Sequence, residues 1–234
     1  MTNARVSDDT LLAAEAAPWA ATLFAQAAMH TLATKAVFHA ALCGGPGLQA
    51  MLSALASLPA NRRIDWRHVH VFAVDDAWDE ASMYALAACP LPGRNVRRPR
   101  SADIPRHDAA RRYEQQLASH FGLRSGELPV FDFMLLSATA DGRVAGFWPE
   151  EKAAANVTRL VVTHDRGEPR IALALPVINA SRMLALVCDS ADLPCAALFK
   201  PQGAFHLLSP RTARSSGATT PPTVRASRKA LPPT

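Results

Sequence analysis

The sequence predicts an α/β protein with a mainly parallel sheet and helices on both faces. Short apolar segments typical of buried strands alternate with longer segments of helical periodicity along the 234 residues. No apolar run approaches the ~20 residues that a helix needs to cross a bilayer. Such sheets bind ligands at the carboxyl ends of their strands, so the loops that follow strands are the candidate sites.

The first half of the chain is predicted to contain two helices and two strands. Asp8 or Asp9 is placed to cap the first helix, and Pro18 predicts a break or kink within it. Residues 79–106 contain four prolines and are expected to be irregular. The predicted elements are a helix at 11–33, a strand at 36–42, a helix at 48–58 and a strand at 69–74.

The second half continues this alternation, and we expect residues 1–208 to form one domain. Residues 209–234 are rich in Ser, Thr, Pro and Arg and nearly lack large apolar side chains. Such a segment buries too little surface to fold, so it is predicted to be a disordered tail. The predicted elements are helices at 107–121 and 178–182 and strands at 131–136, 159–163, 170–175 and 184–188.

The net charge of +5 resides in this tail, which carries five basic residues and no acidic one. The rest of the chain has 20 basic and 20 acidic residues. Because a nucleic-acid-binding domain needs a basic face, this balance predicts no nucleic-acid partner, and the lack of a spanning segment predicts no membrane partner. The first residues lack the layout of a signal peptide, so a cytoplasmic location is expected. A monomer or a small homo-oligomer is expected.

The metal-ligating residue types do not combine into a recognisable site. The four cysteines are scattered without a C-x-x-C pair, which favours buried free thiols. His68 and His70 lie two apart near a predicted strand and would share one side of it. No Asp, Glu or Cys in the sequence completes a ligand set with them, so we predict no metal.

Three loops that follow predicted strands carry polar or glycine-rich motifs. The first, C-G-G-P-G-L at 43–48, precedes a helix, so the backbone of Gly44, Gly45 and Gly47 is suited to an anion; a tight turn is the alternative interpretation. The second ends on Asp75 and Asp76, which also suit a simple turn. The third contains the Asp-Gly pair at 141–142. Parallel strands would bring all three loops to one edge.

Residues 131–149, FDFMLLSATADGRVAGFWP, resemble the signature of the 6-phosphogluconolactonase family, F-D-L-x-L-L-G-M-G-x-D-G-H-x-A-S-L-F-P. The segment 69–78, VHVFAVDDAW, is similar to the family's V-H-V-F-x-V-D-E-R. Residues 169–193 resemble the family's P-x-R-I-T-L-T-L-P-x-I-N-x-A-R motif, with Arg170 and Pro176 matched. The glycine-rich loop corresponds to the family's G-G-S-T-P. The resemblance covers roughly residues 10–200.

The resemblance implies a Rossmann-like fold of the sugar-phosphate isomerase type. It further implies hydrolysis of 6-phosphoglucono-δ-lactone to 6-phosphogluconate in the pentose phosphate pathway, with a sugar phosphate as ligand and without a metal or another cofactor. By the same resemblance the catalytic positions are Asp75, Asp141 and Arg143. The substrate-binding positions are Gly44, Gly45, Gly47, Asp76, Gly142 and Arg170.

Three positions depart from the family pattern. Arg143 replaces the histidine thought to act as general base, and arginine has no acceptor lone pair. Ala77 replaces an arginine, and Asp192 stands near the position of a lysine, both of which bind phosphate in the family. Loss of a general base costs typically ~10²- to 10⁴-fold in rate.

Three hypotheses follow. The first is a lactonase of reduced or rewired activity, in which Arg143 or the arginines at 94–100 supply positive charge and Asp75 or Asp76 acts as base. The second is a non-catalytic relative that binds a sugar phosphate or a protein partner, consistent with the triple replacement and the arginine-rich tail. The third is a sugar-phosphate isomerase or deaminase, which would also need the missing histidine.

Overall fold

Eight strands form the framework of the part of the protein that the structure describes. The computed structural model describes residues 8–100, 104–139, 142–148, 158–165, 169–188 and 198–208, with side chains from residue 16 onward. The predicted tail at 209–234 lies outside these residues. The strands are β1 (Phe38–Leu42), β2 (Val69–Ala73), β3 (Val96–Arg97), β4 (Phe133–Ser137), β5 (Val161–His164), β6 (Arg170–Leu173), β7 (Met183–Val187) and β8 (Ala204–Leu208).

Five α-helices accompany the strands in the described part of the chain. They are α1 (Asp8–Thr34), α2 (Pro46–Ser57), α3 (Glu80–Ala87), α4 (Arg106–Phe121) and α5 (Leu175–Asn179). Short 3₁₀ turns occupy Pro59–Arg63, Trp66–His68 and Gly93–Asn95. Within the described ranges no helix has the length and apolar content needed to span a membrane.

Six strands form one parallel sheet in the order β3-β2-β1-β4-β7-β8. Strands buried on both faces are almost continuously apolar: in β4, Phe133, Met134, Leu135 and Leu136 are all fully buried. Alternate side chains enter two separate cores, one beneath α1 and α2 and the other beneath α4. The predicted α/β class with helices on both faces is therefore confirmed.

Strands β5 and β6 form a separate antiparallel pair rather than joining the parallel sheet as expected. A bridge between Asp75 and Ala172 attaches this pair to the chain just after β2. The amide of Leu173 donates to the carbonyl of Val74 at 2.7 Å, and the amide of Asp76 donates to that of Ile171 at 3.0 Å. The hairpin therefore packs against the carboxyl edge of the sheet, where it contributes Arg170.

The sequence-based element boundaries need four corrections. The segment 79–106 is not irregular, because it contains α3, capped by Asp79 at the amide of Ser82, and strand β3. Helix α1 continues through Pro18 instead of breaking there. The short helix expected at 178–182 is α5, which begins three residues earlier at Leu175. Strand β8 was not predicted, because its AFHLL sequence is short and only its last three residues are buried.

Three histidines cluster on the face of the sheet that α4 covers. His39 of β1 is in register with His70 of β2, and His120 of α4 reaches both, with 3.0 Å between the Nε2 atoms of His39 and His120. His68 precedes β2 in a 3₁₀ turn and contacts Asp65, so the predicted pairing of His68 with His70 is wrong. Among the described residues no group of three or more His, Cys, Asp or Glu side chains is arranged to hold a metal ion.

Acidification is expected to destabilise the protein through this cluster. Burial lowers the pKa of His39 to about 4 despite the nearby Asp132, with His70, Lys35 and Arg97 adding to the effect. Burial also lowers the pKa of His120 to about 4, and Arg97, His39 and His70 contribute. Between pH 6.5 and 4 the unfolded chain binds protons that the folded chain excludes, so the free energy of unfolding falls by on the order of 2–3 kcal/mol.

Urea unfolding at pH 7 and pH 5 measures this loss. A His120→Gln variant should lose less stability on acidification than the wild type because one excluded proton is removed. The exposed His30, changed to Gln, is the matched control and should leave the pH dependence unaltered. Equal pH dependence in all three proteins would contradict the role of the cluster.

Candidate active site

A cavity of about 250 Å³ lies at the carboxyl edge of the sheet, between the loops that follow β1, β2 and β4. The parallel arrangement brings these loops together, as the motif positions predicted. The β5–β6 hairpin closes one side. Of the nine predicted site residues, the six that line this cavity are Gly44, Gly45, Gly47, Asp75, Arg143 and Arg170.

Two of the other three predicted residues, Gly142 and Asp76, do not line the cavity. Asp141 lies outside the described residues. Gly142 has a positive φ of 82°, and its amide donates to the carbonyl of Thr139 within the loop after β4. Asp76 turns away from the cavity towards β6: its carboxylate accepts from the amide of Ile171 at 3.1 Å and lies 4.0 Å from the guanidinium of Arg170. Asp76 thus positions Arg170 and the hairpin instead of contacting a ligand.

Asp75 is a buried carboxylate held by three donors. Its Oδ1 accepts from the amides of Gly44 (3.1 Å) and Ala77 (3.3 Å), and its Oδ2 accepts from the Sγ of Cys43 at 2.8 Å. Burial raises the pKa of Asp75, the three hydrogen bonds oppose that rise, and Asp76 adds to it. Each carboxylate oxygen has two lone pairs, so Oδ2 retains one for a molecule in the cavity.

Cys43 is a site residue that the sequence reasoning did not select. Its thiol is fully buried, and burial raises its pKa well above the ordinary range, with the charge of Asp75 reinforcing the effect. The thiol therefore stays protonated and serves as the donor to Asp75. Its position next to Gly44 was the available signal, but a cysteine in a buried strand also fits ordinary core packing.

The glycine-rich loop leads directly into α2, whose first two residues are Pro46 and Gly47. Gly45, the residue before the helix, has φ of 85° and ψ of −163°, and no side chain caps the helix. The first amides of a helix have no partner within it, and the helix dipole adds partial positive charge there. The amides of Gly44 and Gly45 already donate to Asp75 and Ser82, and Pro46 has no amide hydrogen. The amides of Gly47 and Leu48 therefore remain for an anion, and the loop has no hydroxyl of its own.

Gly44→Ala is expected to destabilise the protein by about 2–3 kcal/mol through overpacking. A Cβ at this position would overlap the carbonyl group of Ala77, a backbone group held by the Asp75 turn. Thermal unfolding of the variant measures the loss. Gly93→Ala is the matched control, because a Cβ there meets nothing within 4 Å. An unchanged Tm in Gly44→Ala would show that the two loops are not in close contact.

The loop after β4 holds Arg143 at the cavity. The amide of Thr139 donates to the carbonyl of Arg143 at 2.8 Å, and Val144 and Phe147 exchange backbone hydrogen bonds. Ala145 has φ of 52°, a conformation that costs a non-glycine residue roughly 1–2 kcal/mol. The Arg143 guanidinium lies over the Trp148 ring, 5.3 Å from its centroid. The backbone thus fixes this position independently of the side chain that occupies it.

The model of the glucosamine-6-phosphate isomerases/6-phosphogluconolactonase family matches residues 12–193 of the chain. A probable 6-phosphogluconolactonase 2 of Arabidopsis thaliana is 34% identical over 190 residues, which cover 70% of this chain and 73% of that protein. The chain belongs to this family. A 6-phosphogluconolactonase of Synechocystis sp. is 30% identical over 164 residues, 65% of this chain and 66% of that protein.

A solved structure confirms the family fold. The 6-phosphogluconolactonase of Trypanosoma cruzi superposes with a TM-score of 0.69 at 18% identity, covering 87% of this chain and 93% of that one. At this identity the similarity establishes the fold alone. The Rossmann-like, sugar-phosphate isomerase type of fold that the motifs implied is thereby confirmed.

Two of the three departures from the family pattern lie at the cavity. Arg143 and Ala77 both line it. Asp192 lies outside the described residues. The arginines at 94–100 do not replace the lost charge among the residues lining this cavity: Arg97 lies over Phe72, and Arg98 donates to the carbonyl of Trp78. Positive charge in the described part of the cavity therefore comes from Arg143 and Arg170.

Proposed function

We propose that the protein hydrolyses 6-phosphoglucono-δ-lactone to 6-phosphogluconate, more slowly than relatives with the family histidine. One observation carries this proposal: the loops of the family motifs converge on one cavity that combines anion-binding groups with a buried carboxylate. Asp141, the third residue predicted to be catalytic, remains part of the proposal. The substrate places the reaction in the pentose phosphate pathway.

The two sides of the cavity suit the two ends of this substrate. The start of α2, together with Arg143 and Arg170, favours the phosphate dianion by charge and by backbone amides. Asp75 accepts from the amide of Gly44, before the start of α2, and its carboxylate would repel the phosphate. The uncharged lactone ring therefore fits on the Asp75 side, with its carbonyl near the carboxylate.

Asp75 has the chemistry to replace the missing base. The free lone pair on Oδ2 accepts a proton from a water molecule as that water attacks the lactone carbonyl carbon. The ring C–O bond then breaks, and the proton passes to the departing alkoxide oxygen. Arg143 carries a permanent positive charge that stabilises the oxyanion formed in between.

The reaction so described is proton transfer and charge stabilisation by protein side chains, so the proposal includes neither a metal nor another cofactor. It keeps the cytoplasmic location predicted from the sequence. It also keeps the expectation of a monomer or small homo-oligomer, and of no nucleic-acid or membrane partner.

The second candidate is a non-catalytic relative that binds a sugar phosphate or a protein partner. The observation in its favour is that Arg143 occupies the position of the family base inside the cavity. Arginine donates hydrogen bonds to phosphate but accepts no proton, so the same loop can bind without catalysing. A sugar-phosphate isomerase or deaminase is less well supported, because it needs a base at the same position.

Two measurements on the purified protein decide between these functions. The first is hydrolysis of 6-phosphoglucono-δ-lactone above the spontaneous rate, followed by acid release in a pH-stat. The second is binding of the product 6-phosphogluconate by calorimetry. Turnover with binding supports the lactonase, and binding without turnover supports the non-catalytic relative. If the protein neither hydrolyses the lactone nor binds 6-phosphogluconate, neither function with a sugar phosphate as ligand holds.

A further inference from the structure

Ser137, at the end of β4, carries a buried hydroxyl that no described residue satisfies. Its Oγ exposes less than 1 Å² and has no hydrogen-bond partner in the part of the chain that the structure describes. An unsatisfied buried polar group costs about 1–3 kcal/mol, so such a group calls for an explanation. Ser137 lines the candidate active-site cavity, so rotation of its side chain to another χ1 rotamer would bring the hydroxyl to a ligand there.

The hydroxyl faces the start of α2. A Cβ on Gly47 would overlap the Ser137 Oγ, so the oxygen occupies the volume in which a side chain at position 47 would otherwise lie. Helix α2 has 12 residues and no side-chain cap, so the amides of Gly47 and Leu48 at its start have no partner within the helix. The Ser137 hydroxyl therefore lies next to the start of α2, at a cavity that Arg143 and Arg170 also line.

Compared with the family motifs, the sequence lacks a hydroxyl in the glycine-rich loop and has additional hydroxyls in the loop after β4. Where the family motif reads G-G-S-T-P, this chain has Pro46 and Gly47 and no hydroxyl. Where the motif after β4 reads G-M-G, this chain has Ser137, Ala138 and Thr139. Thr139 uses its hydroxyl to hold the carbonyl of Arg143, at 3.2 Å. Ser137 thus supplies a hydroxyl at the place where the glycine-rich loop lacks one.

We propose that the Ser137 hydroxyl donates a hydrogen bond to the phosphate of the substrate and replaces the hydroxyl missing from the loop before α2. This inference rests on the proposed function in taking a sugar phosphate as the ligand. Ser137 is here a binding and specificity residue. It selects phosphorylated over unphosphorylated sugars and takes no part in proton transfer.

Calorimetric binding of 6-phosphogluconate and of inorganic phosphate to Ser137→Ala tests the proposal. A hydrogen bond to a charged group is lost, so affinity for both should fall about tenfold or more. The affinity for unphosphorylated gluconate should stay as in the wild type. The Tm without ligand should be unchanged or higher, because the variant removes a polar group that the ligand-free protein leaves unsatisfied.

Ser181→Ala is the matched control. Ser181 is also buried with an unpartnered Oγ among the described residues, but it lies before β7, at the opposite end of the strands from the cavity. Its loss should leave binding of 6-phosphogluconate unchanged. Equal affinities in Ser137→Ala and wild type would overturn the inference and leave the proposed function standing. If the wild type binds 6-phosphogluconate tightly, Ser137→Ala binds it weakly, and the wild type does not hydrolyse the lactone, the inference stands and the proposed function is overturned.

A double variant, Ser137→Gly with Gly47→Thr, removes the hydroxyl after β4 and places one at the start of α2, where the family motif has it. Position 47 has no positive φ, and Ser137→Gly removes the only two atoms that a Cβ there would meet within 4 Å. The double variant should recover affinity for 6-phosphogluconate to within about threefold of wild type, whereas Ser137→Gly alone should not. Failure of the double variant to bind better than Ser137→Gly would contradict the exchange.

Discussion

Arg143→His is expected to raise the rate of 6-phosphoglucono-δ-lactone hydrolysis by about 100-fold or more, because it restores a general base in the cavity. The backbone of the loop after β4 does not have to change to accept the histidine. Thr139, Val144 and Phe147 hold it through backbone hydrogen bonds that do not involve the Arg143 side chain. The imidazole has an acceptor nitrogen and titrates near neutrality, whereas the guanidinium has neither property. The measurement is kcat by pH-stat for both proteins.

The control is Arg143→Gln, which removes the charge and the stacking over Trp148 but adds no base. It should hydrolyse the lactone no faster than the wild type. The rate of Arg143→His should rise with pH through the histidine pKa near 6.5. A gain of the same size in Arg143→Gln would mean that arginine merely obstructs the cavity. No gain in either variant would contradict the expectation that the cavity still supports catalysis once the family histidine is restored.

Asp75→Asn is expected to lower the residual hydrolysis of the wild type by about 100-fold or more, because it removes the base of the proposed mechanism. Asparagine is close in size to aspartate and keeps an oxygen for the amides of Gly44 and Ala77. Affinity for 6-phosphogluconate should therefore change little. Burial raises the pKa of Asp75, so the wild-type rate should increase as the pH rises through that raised pKa and the carboxylate ionises.

Asp76→Asn is the matched control. The neighbouring carboxylate contacts the amide of Ile171 and the guanidinium of Arg170 and does not line the cavity. Its replacement should leave kcat within a few-fold of wild type and raise KM, since Arg170 loses its anchor. Wild-type kcat in Asp75→Asn would contradict the role of Asp75 and make spontaneous or Arg143-assisted hydrolysis the source of any turnover.

The periodicity of the chain predicted most of the parallel sheet, since strands buried on both faces are continuously apolar. It failed where the local pattern was weak. Strand β3 has two residues, and α3 has only eight and is followed by Pro90 and Pro92, so neither gives a clear periodic signal. The β5–β6 pair was predicted as strands but not as a separate sheet, because strand pairing depends on contacts between distant residues and not on local sequence.

The sequence by itself determined the order of most of the strands and helices along the chain, the family, and the loss of the family histidine at Arg143. These features depend on residue identity and local spacing, both of which can be read from the sequence without knowing the fold. Only the tertiary structure decided that Asp75 lines the cavity while the adjacent Asp76 anchors the hairpin. Only the packing of β4 against α2 shows that the Ser137 hydroxyl fills the space beside Gly47. Side-chain direction and burial at these positions arise from contacts between segments far apart in the chain, and no local pattern encodes them.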